Sequence, residues 1–263
     1  SLYSLWANLN SRKRISDIVG KMELIEGQYD VLGKPLAVVR ARYEIKNDGT
    51  YRITTNSPNI QGLSTMYKKE YLVPEQGRIL VGADISSQEA TIFFNGLCRD
   101  EEILRLYNEY GEIYRPVVAV IEGVRPEEVP AELRKAYKTG ILVKMNNGGL
   151  DLIASQMGSY NLAKKLINFI DNNPHYMRFI AQIERQLVSS EPRMGGFIEG
   201  RERVITRKTR DSFNQLVNAP LQITAISFFS ISFFAFIQRI MQEVGDWQTV
   251  EELLEDIRPV YHA

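Results

Sequence analysis

Residues 78–97 read RILVGADISSQEATIFFNGL. The first six are a short apolar run of the kind that forms a buried strand, and they deliver Asp84 at its end. From Ser86 the period changes, and Ala90, Phe93, Phe94 and Leu97 fall on one face of a helix. A strand that ends in a carboxylate holds its oxygens on rigid backbone, an arrangement suited to a hard cation. Glu89 follows five residues later, inside the helix. Spacing alone favours a plainer role for Asp84, as the N-cap of a helix starting near Ser86.

Upstream, residues 36–46 (LAVVRARYEIK) alternate and are rich in Val and Tyr, which predicts a strand. Asn47-Asp48-Gly49 is a turn signal, residues 50–55 read as the returning strand, and Asn56-Ser57-Pro58-Asn59 as a loop. A short helix is expected in residues 1–20, where Arg12, Lys13 and Arg14 precede Ile15, Ile18 and Val19. Downstream, 100–122, 131–146 and 160–189 read as helical, with a loop opened by Pro126 and Pro130. The last of these breaks at Asn172-Asn173-Pro174, which places His175 in a loop. Gly195, Gly196 and Gly200 punctuate a hairpin over 194–206; helices follow over 207–218 and 220–243, then a short helix at 251–256 and a strand at 257–262. Strands near the ends with helices between them predict an α+β fold rather than an alternating parallel sheet.

The chain has 263 residues, 44% apolar and 24% charged, enough for one large or two small domains with a real core. That composition excludes wholesale disorder, collagen-like repeats and a disulfide scaffold. Lys+Arg and Asp+Glu both number 32, so a polyanion site must come from local placement. One cysteine, Cys98, forms no internal disulfide, and a reducing, cytoplasmic interior is expected. The first residue is Ser with no charged-then-apolar leader behind it, which reads as a cut or tag-derived end. Phosphate-loop and Cys/His metal spacings are absent, and His175 and His262 are the only histidines.

Two basic groups stand out. Arg134 and Lys138 share a helix face at i, i+4, with Lys144 further along, and a bound triphosphate or nucleic acid would relieve their repulsion. Arg201, Arg203, Arg207, Lys208 and Arg210, with Arg52, Lys68 and Lys69, could line a groove that tracks a nucleic-acid backbone, with Tyr51, Tyr67 and Tyr71 nearby for stacking. Solvated surface is the competing role for both groups. From Ser212 to Gln238 there is no charge at all, and 223–237 reads ITAISFFSISFFAFI. A bilayer span is one reading. A helix buried on all sides is preferred, because Gln222, Thr224, Ser227, Ser230 and Ser232 thin the apolar run and basic residues flank both ends.

Taken in order, four segments resemble the family A, polymerase I-like DNA polymerases. Residues 52–61 (RITTNSPNIQ) are similar to that family's R-[LI]-S-S-x-x-P-N-[LI]-Q segment, and residues 84–89 (DISSQE) to its motif A, D-Y-S-Q-I-E. Residues 134–139 (RKAYKT) are similar to the start of its fingers helix, and residues 218–225 (NAPLQITA) to N-x-P-[IV]-Q-G-T-A. The resemblance covers roughly residues 36–262. It implies an α+β fold with a palm antiparallel sheet and a mostly helical fingers subdomain. Residues 1–35 would be a thumb remnant or linker helix, 36–99 the first part of the palm, 100–193 the fingers and 194–263 the second part of the palm.

The resemblance also implies roles. Asp84 would be a catalytic metal-binding carboxylate, with the Ile85 carbonyl beside the same ion, one of two magnesium ions. Arg134 and Lys138 would act on the incoming triphosphate, Ser86 would help bind the nucleotide, and Glu89 would exclude a ribose 2′-hydroxyl. Leu142 and Asn146 take positions where the family carries a stacking aromatic and a tyrosine. Arg52, Thr54, Asn59, Gln61, Asn218 and Gln222 would contact primer–template DNA. Expected partners are therefore that DNA and deoxynucleoside triphosphates, with no membrane. The second metal carboxylate belongs to motif C, expected after the last helix; either it follows Ala263, or His262 is the motif's histidine and the acid is missing. The drift from the family pattern points to a phage-like polymerase, or to a degenerate one kept as a DNA-binding module.

Overall fold

The computed structural model describes residues 12–13, 15–29, 35–46, 51–63, 84–198 and 200–244. The expected strand at 78–83, the turn at 47–49, the helix at 251–256 and the strand at 257–262 lie outside the described residues, as do Tyr67, Lys68, Lys69 and Tyr71. The described residues fall into two units, one running to Asp84 and one starting at Ile85.

The first unit has a helical turn at 15–19 and two antiparallel strand pairs. β1 (Glu23–Tyr29) pairs with β2 (Pro35–Val38), setting Glu23 opposite Val38. β3 (Arg42–Ile45) pairs with β4 (Ile53–Asn56) in the register Arg42↔Asn56 to Ile45↔Ile53. The single strand expected over 36–46 is therefore two strands with different partners. The helical reading of 1–35 is corrected as well, since β1 occupies its second half. ELIEGQY lacks a clean two-residue alternation and carries Gly27, so its strand comes from pairing rather than pattern.

The second unit is largely helical. α1 (Gln88–Ile92) runs into a π-helical turn, Phe93–Cys98. The expected core face is buried in full: Ala90, Phe93, Phe94 and Leu97 are at most 3% exposed. α2 (Glu101–Tyr110) is capped by Asp100, whose carboxylate accepts from the Ile103 amide at 3.0 Å. Gly111 at φ 68 ends it, so the helix expected over 100–122 is two, the second being α3 (Tyr114–Glu122). α4 (Ala131–Met145), α5 (Leu150–Met157) and α6 (Tyr160–Asp171) pack together, and α5 had no expectation in the sequence. They approach closely at Gly140, where an added Cβ would lie 2.3 Å from Met157 Sδ and 2.9 Å from Leu166 Cδ2. α7 (Pro174–Val188) starts on the Asn173 cap, which accepts from the His175 and Tyr176 amides, so His175 sits in the first helical turn and not in a loop.

The hairpin β5 (Arg193–Gly195) and β6 (Glu202–Val204) forms where the glycines place it. α8 (Ser212–Val244) is one helix of 33 residues, not two, and passes through Pro220. Proline cannot donate to the Leu216 carbonyl, but burial of Leu216, Val217, Ala219 and Leu221 holds the helix together across that gap. α1, α7 and the hairpin pack on α8. That packing is denser on its first half: beyond Ser227, Phe228, Ile231, Phe234 and Phe236 are 47–61% exposed, while Ile237 is buried. The expectation of burial on all sides is therefore met in part, mainly over 216–227, while by length and composition the helix could cross a bilayer.

Two stability measurements check this division. Ile141 is fully buried, and Ile141→Ala should lower the unfolding free energy in urea by about 3 kcal/mol. Ile231 is 58% exposed, and Ile231→Ala should change it by less than about 0.5 kcal/mol. An equal loss at both positions would show that the outer face of α8 is covered.

Candidate active site

α4 turns Arg134 and Lys138 to the same side, and both lie over the ring of Tyr114 at the start of α3. The Arg134 guanidinium carbon and the Lys138 ammonium nitrogen are each 5.4 Å from the ring centroid. Glu112, two residues before Tyr114, takes Arg134 in a two-pronged ion pair at 3.0 and 2.8 Å. Burial pushes the Glu112 carboxyl up, but the hydrogen bonds and charge of Arg134 with two backbone amides outweigh it, and the net shift is downward. Arg134 is therefore held in place with part of its charge answered, while Lys138 is exposed. Lys144 is not part of this face. Six residues past Lys138 is about 120° around the helix, and Lys144 is buried in an ion pair with Asp171 at 2.7 Å, 5.6 Å from the Tyr176 ring centroid.

The start of α1 reaches the same ring. Ser87 and the Tyr114 hydroxyl share a hydrogen bond, and the charge of Glu89 acts on that hydroxyl. Burial raises the Tyr114 pKa against the opposing pull of Ser87 and Arg134, which keeps the phenol neutral. The N-cap of α1 is Ser87, at φ 55 and ψ 27, not Asp84. The helix starts at Gln88, two residues later than expected, which releases Asp84 from any capping role; Asp84, Ile85 and Ser86 are all exposed. One exposed carboxylate fits a single magnesium ion, which keeps several waters of its own. Among the described residues no group of three or more His, Cys, Asp or Glu side chains gathers to hold a metal.

The other end of α4 meets α8. Asn218 donates to Asn146 at 3.3 Å, Asn146 donates to the Leu142 carbonyl, and Asn147 donates to Asn214 at 2.8 Å. Leu142 is half-buried against the core. Gln222 is half-buried on the next turn of α8. Gln88 donates to the Ala225 carbonyl at 3.0 Å and ties α1 to α8. Ile223 is fully buried beneath Gly196, whose added Cβ would lie 2.9 Å from it, and Thr224 accepts from the Phe197 amide at 2.7 Å.

The remaining sequence candidates belong to the first unit. In β4 the residues opposite β3 alternate, and Ile53 and Thr55 direct their backbone groups to the open edge. Gln61 closes that edge: its amide accepts from the Thr55 N–H at 3.1 Å and donates to the Ile53 carbonyl at 3.2 Å. Asn59 Oδ1 meets the Thr55 hydroxyl at 3.3 Å and accepts from the Gly62 amide at 3.0 Å. Thr54 donates to the Glu44 carbonyl, and Arg52 is half-buried. Both amide side chains thus hold the 56–62 loop on the strand. Within the second unit, Tyr114 and Glu112 are the functional candidates that pattern reading missed, since a contact between α3 and α4 some 20 residues apart leaves no local signal.

No family model matches the chain. The thermostable DNA polymerase I of Thermus filiformis is 26% identical over 222 residues, covering 77% of this chain and 26% of that protein. The thermostable DNA polymerase I of Thermus aquaticus is 24% identical over 244 residues, covering 86% of this chain and 28% of that protein. The chain therefore spans about a quarter of the length of these relatives. Among solved structures, the POL domain of Pol1 from M. smegmatis, in complex with DNA primer-template and dNTP, matches with a TM-score of 0.64 at 16% identity, over 90% of this chain and 42% of that one. The chain is a homologue of the polymerase I-type DNA polymerases, and its α+β fold is that of a polymerase domain.

Proposed function

We propose that this chain is the nucleotide-binding and primer-binding part of a DNA-directed DNA polymerase. The observation that carries the reading is the Tyr114 platform, which gathers Arg134 and Lys138 from α4 beside Ser87 and Glu89 from the motif A segment. In this reading 36–99 and 194–263 are palm, 100–193 is fingers, and the cell interior is the working compartment. The primer 3′-hydroxyl oxygen bonds to the α-phosphorus, the bond to the bridging oxygen breaks, pyrophosphate leaves, and the hydroxyl proton passes to solvent.

Each residue has a part in this. Lys138 is an exposed point charge for the triphosphate and the departing pyrophosphate. Arg134 adds oriented donors, positioned by Glu112. Glu89 fills the space a 2′-hydroxyl would take, and Leu142 offers an aliphatic rather than aromatic surface to the incoming base. Asp84 and the Ile85 carbonyl would hold magnesium, whose contribution is to polarise phosphate oxygens; the full reaction calls for two such ions. Arg52, Thr54, Asn59 and Gln61 of the first unit, and separately Asn218 and Gln222 of the second, would contact primer–template DNA, with Asn59 and Gln61 acting through the loop they hold.

A second reading, a primer–template binding module without catalysis, is favoured by one feature. Leu142 packs against the core and Asn146 is engaged by Asn218, so neither of those two positions supplies a stacking ring.

Primer extension with magnesium and four deoxynucleotides, by a version continued past Ala263, separates the two. The polymerase reading expects extension that Asp84→Ala abolishes; undiminished extension by that variant would remove Asp84 from the chemistry, and salt-dependent DNA binding without incorporation would establish the module. Lys138→Ala should raise the KM for deoxynucleoside triphosphates about ten-fold, the loss of one charged contact worth roughly 1.4 kcal/mol. Glu89→Ala should raise ribonucleotide incorporation relative to deoxynucleotide, and an unchanged ratio would place the sugar gate elsewhere.

A further inference from the structure

A second cationic cleft lies away from the Tyr114 platform, between the π-turn after α1, one face of α7 and the β5–β6 hairpin. Its volume is about 460 Å³. His175, Arg178, Gln182 and Arg185 of α7 line it at i, i+3, i+7 and i+10, a continuous helical stripe, and Arg99 faces them from the π-turn. No carboxylate lines it. Several other arginines of the unit are answered by acids: Arg105 by Glu102 and Glu109, Arg125 by Glu128, Arg134 by Glu112. Among the described residues, Arg99, Arg178 and Arg185 have no such partner, and all three are exposed. Arg99 and Arg178 instead donate to the Gly96 and Pro174 carbonyls at 3.3 and 3.1 Å, which fixes their stems while leaving guanidinium donors over. The N-terminal turn of α7 adds partial positive charge at His175.

The cleft also has a ring. Phe197 is 43% exposed, and its edge lies so close to Gly96 that a Cβ there would come within 2.4 Å of it. The hairpin holds this ring through the Phe197 amide, which donates to Thr224 at 2.7 Å. Guanidinium groups that no carboxylate answers, beside an anchored, half-exposed ring, match the phosphates and base of a nucleic-acid strand.

We infer that this cleft binds a segment of single-stranded DNA, phosphates on Arg99, Arg178 and Arg185 and a base on Phe197. The inference takes its choice of polymer from the proposed function, and it requires no catalysis. The test is fluorescence anisotropy of a labelled dT oligomer on the full 263-residue chain across a salt series. The triple variant Arg99→Gln/Arg178→Gln/Arg185→Gln should flatten the slope of log K against log salt by about 2, at about 0.7 per single-strand phosphate. Phe197→Leu should weaken binding about ten-fold. Arg185→Glu, a single exposed change, should weaken it too and guards against misfolding of the triple variant. Arg105→Gln, an exposed arginine of α2 outside the cleft, should leave oligomer binding unchanged. An unchanged slope in folded cleft variants overturns the assignment, as does displacement of the oligomer by equimolar deoxythymidine triphosphate or inorganic phosphate, which would mark a free-anion site. Because extension is assayed separately, loss of polymerase activity and loss of strand binding are told apart.

Discussion

Tyr137, Ile141 and Met145 are at most 1% exposed and stand at i, i+4 and i+8 along α4, so together they fix the rotation of that helix about its axis. Gly140 lets α5 and α6 come close on the same side. With that side committed to the core, Arg134 and Lys138 have only the α3 side left, where Tyr114 meets them. The buried Tyr137 hydroxyl is satisfied by Glu122, whose other oxygen takes Lys165, so the core side carries no unanswered polar group at this point. The placement of two cations is thus a consequence of how the apolar face packs.

Charge in this unit is distributed by that logic. Lys144, on the opposite side of α4, is pulled into the interior and answered by Asp171 and the Tyr176 ring. Arg134 is partly answered by Glu112, and Lys138 is left to solvent. A buried lysine needs its acid, whereas an exposed one on an aromatic face costs little to keep available. Three neighbours on one helix therefore have three different fates, set by about 100° of rotation per residue.

Periodic and punctuated features could be read from residues alone. The face Ala90, Phe93, Phe94 and Leu97, the break before Pro174 and the glycine-marked hairpin all arise from local rules. The four ordered motifs pointed to the polymerase fold before any coordinates. Non-local features were hidden. β1 owes its strand to β2, the continuity of α8 through Pro220 owes to burial of the surrounding turns, and Tyr114 meets α4 only after α3 folds back. Asp84 illustrates the opposite error: a capping rule that is sound on average assigned it a local role, whereas the helix starts later, after Ser87 in a left-handed conformation and with no side-chain cap.

The departures from the family pattern also acquire physical meaning. Gln88 stands where an apolar residue is usual, and it spends its amide on the Ala225 carbonyl, joining motif A to the helix that carries Asn218 and Gln222. Ile223 stands where the resemblance expects glycine, and its bulk fills the space beneath Gly196, where an added Cβ would lie 2.9 Å from it. Asn146 stands where tyrosine is usual, and it exchanges a stacking surface for a hydrogen bond to Asn218. The contacts Gln88–Ala225 and Asn218–Asn146 tie α1 and α4 to α8, and the Tyr114 ring on which Arg134 and Lys138 lie is reached by Ser87 at the start of α1.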